Sequence, residues 1–104
     1  MLFLSYWELN ENMPESERLG IAKRLTSSGL FPPKGVKVLR FDGTPDSWGI
    51  LLIEAENAID VAMALDTWRM GGAGYFKFTK TAPAFPIAET MQTYEEMQKA
   101  IASL

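Results

Sequence analysis

The run Trp48-Gly49-Ile50-Leu51-Leu52-Ile53 constrains this chain more than any other segment, because it is apolar at both odd and even positions. Side chains alternate across a strand, so a strand apolar on both parities has to be covered on both faces. It therefore belongs inside a sheet, with something packed on each side. The chain has 104 residues and a mass of 11.6 kDa. That length predicts a single domain over residues 1–104, with one core and little spare burial.

The segments around this run read as alternating strands and helices. Leu2 to Trp7 is aromatic and aliphatic without Gly or Pro and reads as a first strand. Asn12 and Glu15, with Pro14 between them, form a helix start of the capping-box type. From about Pro14 to Ser27, Leu19, Ala22 and Thr26 share a helical stripe with Ile21 and Leu25 beside it, and Gly29 ends the helix. Val36 to Phe41 is a second strand, placing Val36, Val38 and Arg40 on one face and Lys37, Leu39 and Phe41 on the other. The turn Asp42-Gly43-Thr44-Pro45-Asp46 leads into the third strand, Ser47 to Glu54. Asn57 caps a second helix from about Ala58 to Arg69, and Gly71-Gly72-Ala73-Gly74 stops it. Tyr75 to Thr81 alternates strictly, with Tyr75, Lys77 and Thr79 on one face and Phe76 and Phe78 toward the core. Pro83 and Pro86 break this strand. A closing helix from about Ile87 carries Ile87, Met91, Tyr94, Met97 and Ile101, with Met91 and Met97 as core or dimer contacts.

The order strand, helix, strand, strand, helix, strand predicts an α+β fold: a four-stranded antiparallel sheet with two helices on one face. Right-handed crossovers put both helices on the same side. One face of the doubly apolar strand is then left to be covered from outside, and a symmetric homodimer joining two sheets supplies that cover.

Composition removes several classes of chemistry. There is no cysteine and no histidine, so disulfides, thiol nucleophiles, imidazole bases and the usual Zn, haem and iron–sulfur ligand sets are excluded. No cofactor is expected, and no residue is assigned a metal or catalytic role. Ten Lys plus Arg against thirteen Asp plus Glu give a net charge of −3, which argues against nucleic acid as a partner. The Lys37, Arg40, Lys77 and Lys80 set lacks the glycine–aromatic run of a base-stacking sheet. No stretch has the length of a membrane span and no targeting segment is evident, so the expected compartment is the cytoplasm.

Several short motifs together resemble a known group. They are the aromatic first strand ending in Trp7, the turn built from Gly29, Pro32, Pro33 and Gly35, the strand pattern Gly49-x-x-Leu52-x-Glu54, helical Trp68, and a last strand leading to Pro83. This combination is similar to a widespread uncharacterised family of small domains within the dimeric α+β barrel group of ferredoxin-like folds. The resemblance implies a homodimer whose sheets form a barrel and brings no established activity. Where related strands place a histidine near the end of the second strand, this chain has Arg40-Phe41-Asp42.

The candidate ligand-binding residues are Trp7, Trp48, Glu54, Tyr75 and Arg40: aromatics to line a cavity, a strand-end carboxylate and a basic neighbour. Gly71 to Gly74 follows a helix and precedes a strand, which makes it a helix stop rather than a phosphate cradle. Three readings stay open. The first is a homodimeric domain binding a small apolar or aromatic ligand. The second is a cofactor-independent oxygenase or isomerase of the kind similar barrels host, drawing on Glu54, Tyr6, Tyr75, Asn10 and Arg40. The third is a structural dimerisation module without a ligand.

Overall fold

The computed structural model describes residues 1–104. Strand β1 (Leu2–Leu9) is followed by helix α1 (Glu15–Ser27) and strands β2 (Val36–Gly43) and β3 (Trp48–Ala55). Helix α2 (Ala58–Gly71), strand β4 (Phe76–Ala84), a short 3-10 turn (Ile87–Thr90) and helix α3 (Met91–Ala102) complete the chain. The sheet is antiparallel throughout in the order β2-β3-β1-β4. This is the split βαββαβ, ferredoxin-like arrangement with a C-terminal helix, as predicted. The doubly apolar segment is β3, an internal strand. No helix is long and apolar enough to cross a membrane.

The core lies between the sheet and α1 and α2. Phe3 and Trp7 of β1 and Leu51, Ile53 and Ala55 of β3 meet Ile21 and Leu25 of α1 and Val61, Ala64, Leu65 and Trp68 of α2. Ser5 is buried among them, and its hydroxyl is satisfied by Thr81 Oγ1 at 2.8 Å. Asn57 caps α2 as expected, its Oδ1 accepting from the Asp60 N–H at 2.9 Å. At α1 the capping box does not form: Pro14 occupies the cap and Asn12 instead donates its N–H to Asn10 Oδ1. The turn before α1 is held by Arg18, whose guanidinium donates to the carbonyls of Asn10 and Met13.

Two irregularities overturn the expected face assignments. The register of β2 on β3 shifts between Val38 and Arg40, so Leu39 is an extra residue and parity inverts beyond it. Phe41 therefore pairs with Leu51 on the helix side, and Arg40 pairs with Leu52 on the other face. The β1–β4 register shifts near Leu9, which pairs with Phe76 while Glu8 pairs with Phe78. Phe76 thus joins the core and Phe78 does not. Strand β4 also runs through Pro83 to Ala84, opposite Phe3 and Leu2. An edge strand tolerates proline because its outer side needs no N–H donor.

Candidate functional site

The sheet face opposite the helices is uncovered, and the pairing register fixes its pattern. From β2 to β4 its rungs read Lys37–Glu54–Leu2–Ala84, Arg40–Leu52–Leu4–Ala82 and Asp42–Ile50–Tyr6–Lys80. A last rung is Trp48–Glu8–Phe78. Aliphatic side chains fill the middle, aromatic rings close one end, and charges stand at the margins. Leu4 at the centre is 41% exposed and Phe78 47%. An apolar area of this extent on a sheet marks an interaction surface.

Three rings make its most structured part. Tyr6 lies with its ring centroid 5.7 Å from Trp48 and 6.2 Å from Phe78. Beside them a depression of about 240 Å³ is lined by Leu4, Tyr6, Lys80, Ala82, Pro83 and Ala84. At the β2 margin Arg40 Nε donates to Asp42 Oδ2 at 2.7 Å, an exposed pair that leaves part of the guanidinium free. The arrangement offers flat apolar contact in the middle with cationic groups, Arg40 and Lys80, on either side. No group of three acidic side chains converges where a metal could be held.

The five residues singled out from sequence do not form one site. Trp48, Arg40 and Glu54 share the open face, with Glu54 at the end opposite Trp48, in register with Lys37. Trp7 and Tyr75 lie on the helix side. Trp7 packs on Phe41 and Phe76, and Tyr75 sits 4.9 Å from the Trp68 ring and 4.8 Å from Phe76. The correction follows from strand parity: Trp7 shares its face with Phe3 and Ser5, so it cannot stand beside Trp48. Tyr6, Phe78 and Lys80 belong to the open-face constellation in place of these two. Phe78 was hidden by the register shift at Leu9, which no local pattern announces.

Both Tyr6 and Tyr75 have phenols raised above the ordinary pKa of 10.0. For Tyr6, desolvation by the groups packed on it comes first, followed by repulsion from Glu8 and a hydrogen bond to that carboxylate. For Tyr75, burial raises the value and the nearby Arg18 partly opposes it. A raised phenol favours the neutral folded form. Its stabilisation is complete below pH 10 and is lost as pH rises through the raised value. Phenolate absorbance should therefore show late-ionising steps in the native protein. One step should disappear in Tyr6→Phe and another in Tyr75→Phe; native and unfolded titrations that superimpose would contradict this.

No family model matches the chain, and no curated protein does. Among solved structures it is similar to "Putative antibiotic biosynthesis monooxygenase from Nitrosomonas europaea" at 17% identity and a TM-score of 0.48, covering 83% of this chain and 97% of that one. It is also similar to a chain of the MjSpt4:Spt5 complex at 17% identity and a TM-score of 0.37, covering 90% of this chain and 58% of that one.

Proposed function

We propose that the protein is a homodimeric binding domain in which two open sheet faces close on one another and hold a small apolar or aromatic ligand between them. One observation carries this reading: the face bearing Leu4, Ile50, Leu52, Tyr6, Trp48 and Phe78 is apolar and has no cover within the chain. A second copy brings an identical face, so a two-fold axis covers both at once. Trp48, Tyr6 and Phe78 form the seat for a planar group, with Arg40 and Lys80 favouring an anionic substituent at its rim. Glu54 lies at the far end and bounds the space by charge.

Leu4→Glu tests the dimer. Leu4 is exposed in the single chain, so the change costs the fold little, but it places two like charges inside the interface. Sedimentation velocity at micromolar concentration should show a dimer for the wild type. The variant should be monomeric, its dissociation constant raised at least about a hundredfold, or roughly 2.7 kcal/mol. A monomeric wild type refutes the reading. For the ligand, anilinonaphthalene sulfonate is a suitable probe because it joins an aromatic body to one negative charge. Saturable binding by the wild type that weakens about tenfold in Trp48→Ala is the expected result; the absence of saturable binding would leave only an assembly role.

A further inference from the structure

None of the residues of helix α3 is buried, and its main neighbour in its own protomer is the 3-10 turn that leads into it. Yet Ile87, Met91, Tyr94, Met97 and Ile101 form one continuous stripe at spacings of four, three, three and four, each 52–69% exposed. A stripe of this width is the core-facing side of a helix that packs on something. The arm stretches the molecule to 60 × 30 × 17 Å and raises the radius of gyration to 17.5 Å. A compact chain of this length has about 13 Å.

The body offers a matching surface. Between α2 and the edge strand β4 runs an apolar groove of about 280 Å³, whose floor and walls include Phe3, Val61, Ala62, Leu65, Ala82 and Pro83. Its α2 wall, from Ala58 to Arg69, extends about 18 Å, the same as the twelve residues of α3. The connection disfavours an arm filling the groove of its own protomer. Only Phe85 and Pro86 separate β4 from the 3-10 turn, and a helix lying along β4 would have to reverse direction within them. Pro86 confines Phe85 to extended geometry, and no glycine occurs from Ala82 to the C-terminus.

We infer that α3 of one copy docks in the α2–β4 groove of a second copy, and that the exchange is reciprocal. This rests on the homodimer proposed above and explains how it becomes stable. Three strands of eight residues and one of nine give the open face a plan area of about 500 Å². The exchanged stripe adds apolar contact to what the sheets bury, toward the roughly 800 Å² per partner of a standard interface, and a two-fold axis makes the exchange close on itself rather than propagate.

The chain has no cysteine, so Glu95→Cys on the flank of the stripe gives one nitroxide position on the full-length protein. Spin-labelled chains mixed with isotope-labelled wild type should broaden the amide signals of Ala62, Leu65 and Ala82 in the labelled partner. In parallel, Met91→Glu combined with Met97→Glu should raise the dimer dissociation constant about a hundredfold while leaving the circular dichroism of the body unchanged. If Leu4→Glu dissociates the dimer but the groove signals stay sharp and the methionine variant dimerises normally, arm exchange is wrong and the sheet interface stands. If the groove signals broaden while Leu4→Glu leaves the dimer intact, the arms carry the assembly and the sheet interface is wrong. A monomeric wild type removes both.

Discussion

Trp68→Ala is expected to cost about 3–5 kcal/mol, the range for emptying a large aromatic site in a packed core. Trp68 is 2% exposed and stands at the centre of the helix-side aromatic cluster. Its ring centroid lies 5.3 Å from Phe31, 5.9 Å from Phe41, 4.9 Å from Tyr75 and 5.8 Å from Phe76. These neighbours come from the loops before β2 and β4 and from those two strands themselves, so one side chain ties α2 to both margins of the sheet. They are held by separate backbone segments and cannot all move in to fill the space. Domains of this size have only about 5–15 kcal/mol in total, so the variant should melt at least 12 °C or so lower or fail to fold. Trp68→Phe should cost far less, because it keeps a ring in place and removes an indole N–H that has no acceptor in the core. Urea denaturation followed by circular dichroism decides the matter: a loss below about 1 kcal/mol in Trp68→Ala would mean the cluster is not the keystone of this core.

How much of this was legible before the structure depended on whether a signal is local. The succession of strands and helices is written in short-range periodicity and in punctuation such as Asn57, Gly29 and Gly71, and from that the topology follows. The faces of β2 and β4 were not legible, for a common reason. A bulge adds one residue and inverts every side chain beyond it, and it is defined only by the partner strand. Leu39 looks like any strand residue, yet it sends Phe41 to the helix side and Arg40 to the open face. The shift at Leu9 does the same to Phe76 and Phe78. Strand β3 has no such irregularity, and its two sets, Trp48, Ile50, Leu52, Glu54 and Gly49, Leu51, Ile53, Ala55, fall as alternation predicts. The candidate site inherits this split. Trp48 and Glu54 could be placed together from their own strand, whereas Phe78 could be placed only through Glu8 on β1.

Gly49→Ala is the second large effect, and it comes from close approach rather than from backbone conformation. Gly49 pairs with Trp7 on one side and Gly43 on the other, and the two glycines leave the slot in which the Trp7 indole lies. A Cβ at Gly49 would collide with the carbonyl oxygen of Asp42 and with the Trp7 ring. The carbonyl belongs to the neighbouring strand and cannot retreat without opening the β2–β3 ladder. The indole cannot retreat either, because Phe41 and Phe76 pack against it, each 5.8 Å away between centroids. Overpacking of this kind costs about 1–3 kcal/mol, and displacing backbone as well places this variant at or above the upper end of that range. Gly43→Ala is the control: its Cβ would meet Trp7 Cη2 at 3.5 Å, an ordinary contact, so it should stay within about 1 kcal/mol of wild type. The measurement is paired denaturant titration of the two variants, with tryptophan emission reporting whether the indole slot has opened. Equal stability of Gly49→Ala and Gly43→Ala would show that β2 and β3 yield at this rung, and that the Trp7 slot does not depend on a bare Cα.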